Sequence, residues 1–193
     1  MDEAELLKRY NSVYLEIIMK YRDKIEDGES ISAAELPRLI VPDDVGVVAL
    51  AKKMTDEIEG YSYDRDFYRV AESAFDYINV NIETVALPIQ FWLAPGQTLN
   101  CRCGDIFDKA TLLCSVLIAM GNYSSRVIVS TYGEIRILAV YFVLDGRISV
   151  MDLEDKNIIS FADRDTFLKE FVHVGETDAE AYEFGDSVYA SLA

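Results

Sequence analysis

The chain has 193 residues, of which 51% are hydrophobic and 27% are charged, and 34 acidic against 18 basic residues give a net charge of −16. This length and balance predict one globular domain with a substantial core. Because a chain this acidic is repelled by nucleic acid and by anionic membranes, we expect neither as a partner. Solubility explains the charge most simply, and an acidic face for a basic partner is the alternative.

Cysteine usage and the first residues bear on the compartment. No apolar run reaches the roughly 18 residues that span a bilayer. The opening Met1-Asp2-Glu3-Ala4-Glu5 has neither the basic nor the apolar region of a signal peptide. Three cysteines is an odd number, and Cys101 and Cys103 are too close in sequence for an easy disulfide. These features favour a cytoplasmic protein with reduced thiols.

The first predicted element is a helix from Glu3 to about Arg22. Its apolar residues share one face: Leu6, Leu7, Tyr10, Val13, Tyr14, Ile17, Ile18 and Tyr21. We interpret it as a packing helix and divide the chain into a helical extension, 1–40, packed on a domain, 41–193, the two forming a single globular unit. Three more helices are predicted, and each has its own cap: Ser32 with Glu35 before Pro37, Asp43 or Asp44, and Asp64.

The stretch from Thr98 to Gly121 predicts a loop that leads into a buried helix. Asp105 is a good N-cap, and Asp108 adds an acidic residue in the first turn, where the helix dipole favours it. After Lys109 the helix carries no charge and is apolar on nearly every face, so other elements must surround it. Gly121 fits the left-handed position that ends such a helix.

Strand-like segments follow this helix. Arg126–Thr131, Ile135–Leu144 and Arg147–Leu153 are predicted strands, and Asp145-Gly146 is a strong two-residue hairpin turn. This turn pairs Leu144 with Arg147 and therefore Ala139 with Asp152. A short helix is predicted over Thr166–Phe171, and the segment around Tyr182 receives no assignment. The sequence thus predicts an α+β fold in which the helix from about Asp105 to Met120 packs on an antiparallel sheet.

The segment Gly104-Asp105-Ile106-Phe107-Asp108, followed by an apolar helix and a hairpin, resembles the transglutaminase-like superfamily of papain-type folds. The resemblance spans Pro42 to Glu154. In that family the loop ends Gly-Asp-Cys-x-Asp, so the position of the nucleophile is occupied here by Ile106. The family's His position falls on Ile137 and its Asp position on Asp152. The resemblance therefore implies a degenerate member that keeps the scaffold and lacks the catalytic Cys and His.

The missing side chains decide which chemistry is expected. An isoleucine supplies neither a nucleophile nor a base, so amide hydrolysis and acyl transfer are not expected. Cys103 is a possible relocated thiol, and His173, the only histidine, is the imidazole it would need. One Cys-x-Cys pair and a distant His fall short of a metal site, and no cofactor is expected.

The branched side chains at Ile106 and Ile137 suggest a plugged site. We expect them to be largely buried and close to each other. Asp152, without its imidazole, would either take its hydrogen bonds from backbone amides, Lys109 or Arg126, or lie near solvent.

The function predicted from these observations is a non-catalytic transglutaminase-like domain that binds a protein or a peptide. Two alternatives stay open: a thiol-dependent peptidase, amidase or acyltransferase using Cys103, and a small-molecule-binding cleft protein. A homodimer is also possible. The strand face that carries Leu138, Val140, Phe142 and Leu144 is apolar and needs a cover, either the N-terminal helix or a second subunit.

Overall fold

The structure, a computed structural model, describes residues 3–28, 32–86, 89 and 91–192. The helices are α1 (Glu3–Lys20), α2 (Arg22–Gly28), a 3-10 helix (Ala33–Leu39), α3 (Val45–Asp56), α4 (Tyr63–Asn81), α5 (Pro95–Cys101), α6 (Ile106–Ala119) and α7 (Arg164–Glu170). The strands are β1 (Glu83–Thr84), β2 (Cys103–Gly104), β3 (Arg126–Tyr132), β4 (Ile135–Leu144), β5 (Arg147–Asp152), β6 (Asn157–Phe161), β7 (Glu180–Phe184) and β8 (Tyr189–Ser191).

Helix α6 lies at the centre, as its composition predicts. The carboxylate of Asp105 accepts a hydrogen bond from the backbone N–H of Asp108 and so caps the first turn. Every residue from Asp108 to Ile118 is buried, because the sheet packs on one side of the helix and α3, α4 and α5 pack on the others. Gly121 follows the helix with a φ of 102°, the left-handed conformation expected there.

A six-stranded antiparallel sheet receives this helix, in the order β6-β5-β4-β3-β7-β8. The hairpin between β4 and β5 turns at Asp145 and Gly146, and it pairs Leu144 with Arg147 and Ala139 with Asp152. The predicted register is therefore confirmed, and so is the predicted packing of the central helix on an antiparallel sheet. A separate two-residue parallel ladder joins β1 to β2 just before α6.

The two faces of the sheet belong to different cores. On one face, here called the α6 face, Val127, Val140, Phe142, Met151 and Phe184 pack in one cluster with α3, α4 and α6. The other face, here called the α7 face, carries a smaller cluster that includes Phe167 and Val172 from the α7 region: Ile128, Ala139, Tyr141, Ile148, Val150, Phe167, Val172 and Ala181. Alternation along each strand sends odd-numbered residues of β4 to the α7 face and even-numbered ones to the α6 face.

The cover of the α6 face differs from the two covers proposed from the sequence. Helices α4 and α6 lie on it, and the ring of Phe67 in α4 meets the ring of Phe142 edge-on at 5.2 Å. The N-terminal helix does not serve this purpose, because every residue from Leu7 to Ile17 in α1 is exposed. The predicted packing is therefore not observed for the part of that stripe from Leu7 to Ile17.

Several elements, including β6, β7 and α5, were not predicted from the sequence. The unassigned segment around Tyr182 forms β7, which pairs with β3, and Asn157–Phe161 forms β6 at the far edge of the sheet. Helix α5 overlaps the predicted loop before α6, with Pro95 in its first turn. Among the described residues, no helix has both the length and the apolar character to cross a membrane.

Candidate functional site

The start of α6 is held by a buried carboxylate. Asp108 is fully buried, and its two carboxylate oxygens accept hydrogen bonds from the backbone N–H groups of Leu93 at 2.8 Å and Asp105 at 3.0 Å. Burial raises the pKa of Asp108 to about 6, and these two hydrogen bonds only partly offset that effect. Gly104 is needed beside it, because a Cβ at this position would lie 2.8 Å from the Cβ of Asp108. Asp108 thus joins the loop before α5 to the first turn of α6.

The neighbouring Lys109 is buried too, with 1% of its surface exposed. Its Nζ donates a hydrogen bond to the hydroxyl of Thr84 at 3.1 Å. Burial, and to a lesser extent the charge of Lys156, lowers the pKa of Lys109. Among the ion pairs of the described residues, none joins Lys109 to Asp108. The only signal of this buried charge in the sequence is a lysine in an otherwise apolar helix.

Ile106, the first residue of α6, is only half-buried. Beside it an aromatic stack crosses from the loop to the sheet: Trp92 lies 5.3 Å from Phe107, and Phe107 lies 5.9 Å from Phe184, both measured between ring centroids. Trp92 is therefore a packing residue. The N-terminus of α6, where a helix dipole would favour a thiolate, therefore carries an isoleucine next to an aromatic layer.

The three cysteines are unpaired and differ in environment. Cys101 is exposed, Cys103 is half-buried in β2, and Cys114 is buried inside α6. Burial raises the pKa of the Cys114 thiol to about 12, so this thiol is inert at neutral pH. Cys103 and Cys101 both precede α6 and lie outside its first turn.

Ile137 and Asp152 lie on the α7 face of the sheet. Ile137 alternates with Ala139 and Tyr141 along β4, and Asp152 pairs directly with Ala139, so all four share the face opposite α6. Ser130, the partner of Ile137 in β3, confirms this orientation, because its hydroxyl donates to the carbonyl of Val172 near α7. The hairpin register correctly predicted that Ile137 and Asp152 share a face of the sheet. That face is the one opposite α6 and Ile106.

The predicted plug between Ile106 and Ile137 is therefore wrong. Both side chains are half-buried rather than buried, and the sheet separates them. The carboxylate of Asp152 accepts hydrogen bonds from the backbone N–H groups of Glu154 and Asp155 at 2.9 and 3.0 Å, so backbone amides are its donors. Lys109 bonds to Thr84 instead, and Arg126 donates to the carbonyls of Tyr123 and Ser125. That Ile106, Ile137 and Asp152 correspond to the family's Cys, His and Asp stays a prediction.

A cavity of about 300 Å³ opens on the α7 face beside these residues. Its lining combines a partly apolar floor with four carboxylates and the only histidine: Ile135, Arg136, Ile137, Leu138, Asp152, Glu154, Asp155, Glu170, Phe171 and His173. The imidazole of His173 stacks on the ring of Tyr132, with centroids 5.5 Å apart. No cysteine lines this cavity. The sequence did not reveal it, because Glu170 and Phe171 arrive from α7, beyond the hairpin.

A partly buried polar network holds α7 against the sheet and so sets one wall of the cavity. Tyr141 donates its hydroxyl to Glu183 at 2.7 Å, and the guanidinium of Arg164 donates to both Tyr141 and Glu183, at 3.0 and 2.8 Å. Burial raises the pKa of Tyr141 to about 12. The phenol therefore keeps its proton and remains a donor to Glu183 at physiological pH.

These positions limit what the arrangement can do chemically. Nucleophilic catalysis by a cysteine of this kind needs the thiol within hydrogen-bond reach of an imidazole. Cys103 lies beside α6, whereas His173 lines a cavity on the α7 face, so the sheet separates the relocated thiol from its imidazole. Within the described part of the chain, no group of three or more His, Cys, Asp or Glu side chains is arranged to hold a metal ion.

A solved structure shares this arrangement of helices and sheet. The chain superposes on LapG from Legionella pneumophila with a TM-score of 0.51 at 15% sequence identity, over 84% of this chain and 88% of LapG. The fold is transglutaminase-like, of the papain type. A protein from Cytophaga hutchinsonii that is provisionally assigned as a cysteine protease gives a TM-score of 0.47 at 16% identity, over 90% of this chain and 58% of that one.

Sequence comparison adds no closer relationship. No family model and no curated protein matches the chain. At 15% identity the likeness to LapG establishes the transglutaminase-like fold and says nothing of activity. The fold class predicted from the sequence is thereby confirmed, and the function has to be argued from the side chains of this chain.

Proposed function

We propose that this chain is a non-catalytic transglutaminase-like domain that acts as a protein- or peptide-binding module. One observation carries the proposal: the first residue of α6 is Ile106, and the only histidine lies on the other side of the sheet. Thiol-dependent acyl chemistry needs a thiolate at the helix N-terminus and an imidazole in contact with it. Neither group is available at that position.

The cavity on the α7 face is the surface we assign to the partner. Ile137 and Phe171 give it an apolar floor, and Asp155 and Glu170 place carboxylates in its wall. A lysine or arginine side chain matches this combination, because its methylene stem packs on apolar surface while its charged head stays with the carboxylates. The net charge of −16 adds long-range attraction for a basic partner. We therefore propose a basic protein segment as the ligand class.

A catalytic assay tests the first half of the proposal. The purified chain should hydrolyse no amide or ester substrate and transfer no acyl group, and Cys103→Ala should leave its binding unchanged. The matched variant is Cys101→Ala, which removes the more exposed thiol two residues away. Turnover that disappears on Cys103→Ala and persists on Cys101→Ala would establish the thiol-enzyme alternative.

A peptide-binding assay tests the second half. Short peptides with spaced lysines or arginines should bind, and peptides with glutamate in place of each basic residue should not. The double variant Asp155→Asn with Glu170→Gln should weaken binding about five- to tenfold at low salt, since each partly exposed charge pair contributes under about 1 kcal/mol. The control, Glu57→Gln with Glu59→Gln, removes the same charge from exposed positions after α3 and should have little effect. Equal loss in both variants would point to non-specific attraction and contradict the assigned site.

The small-molecule alternative is less well supported. A volume of about 300 Å³ is at the lower limit for ligand pockets, and such pockets are mostly apolar, whereas charged residues form much of this lining. We also propose a cytoplasmic location. It rests on the three unpaired cysteines, which suit a reducing compartment.

A further inference from the structure

Helix α1 presents a large apolar surface. Leu7, Tyr10, Val13, Tyr14 and Ile17 are 48–59% exposed, although they recur at helical spacing on one side of α1. Monomeric soluble proteins rarely leave contiguous apolar patches beyond a few hundred Å² uncovered, and larger ones mark interaction surfaces. Five such side chains at about half exposure reach that size, so α1 is a surface that needs a partner.

The spacing of these residues is that of a coiled-coil seam. Tyr10, Val13 and Ile17 follow one another at intervals of three and four and form the seam. Leu7 and Tyr14 flank it on one side, in equivalent heptad positions. Arg9 and Glu16 flank it on the other side, also in equivalent heptad positions. The helix therefore carries one apolar flank and one charged flank.

Charge complementarity identifies the partner and its direction. In an antiparallel pair, equivalent flanking positions of the two helices face each other. When Tyr10 of one copy lies over Val13 of the second, the same register sets Arg9 opposite the second copy's Glu16, and the two-fold axis repeats this pair. It also sets Leu7 opposite Tyr14 on the apolar flank. In a parallel pair, Arg9 would face Tyr14 and Glu16 would face Tyr21, so neither charge would meet its opposite.

We propose that α1 pairs with α1 of a second copy in an antiparallel two-helix interface centred between Tyr10 and Val13. Within each helix Arg9 already bonds Glu5 at 2.7 Å. The second copy's Glu16 would extend this pair across the interface. This interface is separate from the cavity on the α7 face and does not depend on the proposed binding of a basic segment.

The first experiment measures mass by sedimentation equilibrium on the full chain over a range of concentrations. The mass should rise from 21.8 kDa toward twice that value. Ile17→Asp should abolish the rise. Leu15→Asp is the matched control, because Leu15 is 49% and Ile17 48% exposed but Leu15 points away from the seam. A chain that stays monomeric throughout, or that loses association equally in both variants, would overturn the proposal.

The second experiment tests the antiparallel register by charge reversal. Arg9→Glu or Glu16→Arg alone should weaken association about tenfold, because each puts two like charges face to face, twice per dimer. The double variant should recover the original affinity. Loss of the bond between Glu5 and Arg9 persists in the double variant, so recovery can come only from the pair across the interface. Lys8→Glu, the same change of charge on the outer side, should have little effect.

Three results would contradict the proposed occupant. Single reversals without effect, or a double variant that stays weak, would overturn the antiparallel pairing. Binding of a monomeric wild-type chain to phosphatidylcholine vesicles would assign the stripe to a lipid surface instead.

Discussion

The two faces of the sheet are built differently. The α6 face is covered by α4 and α6 and holds the larger core, whereas the α7 face is covered by one seven-residue helix and leaves a cavity beside it. The titratable groups follow the same division: Asp108 and Lys109 are buried at the start of α6, while His173 and several carboxylates of the α7 face line the cavity. The α6 face therefore maintains the fold, and the α7 face is the one where new contacts can form.

The largest effect should come from exchanging one phenylalanine on each face for alanine. Phe142 on the α6 face and Phe167 in α7 are both fully buried. Phe142→Ala should lower the free energy of unfolding by about 3–5 kcal/mol, since it opens a cavity in the larger core. Phe167→Ala should instead release α7 locally. Urea denaturation measures the free energy of unfolding of Phe142→Ala. Hydrogen exchange of the amides in α7 (Arg164–Glu170) and in α6 measures the local opening in Phe167→Ala.

In the second variant, exchange should accelerate in α7 while the amides of α6 keep their protection. If Phe167→Ala exposes α6 to the same extent as α7, the two faces unfold as one unit and the distinction between them fails.

Much of this fold was predictable from local signals. The two-residue turn at Asp145-Gly146 fixed the β4–β5 register, because such turns leave no freedom in how the strands pair. The apolar composition of α6 required cover on all sides, and the structure provides it. Strands β6 and β7 were missed because their pairing partners, β5 and β3, are specified by tertiary contacts rather than by a turn pattern.

The candidate site was only partly predictable, for a reason visible in β4. Both faces of this strand are apolar, with Leu138 and Val140 on one and Ala139 and Tyr141 on the other. Hairpin counting shows which residues share a face, but it cannot show which face meets α6. The same limit applies to α1: periodicity identified the stripe through Tyr10 and Ile17 and could not say what covers it. Long-range packing decided the case of β4, whereas the stripe of α1 is exposed in the structure.

A smaller, pH-dependent effect should come from Asp108 on the α6 face. Because its pKa is raised from 3.8 to about 6, the folded chain holds a proton that the unfolded chain has released between those values. Its contribution to stability is therefore present at low pH and lost as the pH rises through about 6. Relative to Asp108→Asn, which does not titrate, the wild type should lose about 2–3 kcal/mol between pH 4 and pH 7.

Urea midpoints of both proteins at the two pH values measure this difference, and subtraction cancels the other carboxylates. Asp76→Asn, an exposed position in α4, is the control and should follow the wild type. A difference between wild type and Asp108→Asn that does not change with pH would show that the carboxyl of Asp108 is better solvated or better hydrogen-bonded than its burial implies.

The smallest expected effect is also the most direct test of the comparison, because it shows whether a side chain on the α6 face can contact one on the α7 face. Ile106→Cys places a thiol at the first residue of α6, where the helix dipole favours a thiolate. Adding Ile137→His places an imidazole on the α7 face, on the other side of the sheet. In a background with Cys101 and Cys103 changed to Ser, the rate of alkylation of the new thiol against pH should be the same with and without the histidine. Neither protein should turn over an amide substrate. A titration of the thiol that moves to lower pH only when His is present at 137 would place the two side chains in contact, and the separation of the α6 and α7 faces would then be wrong at this end of the sheet.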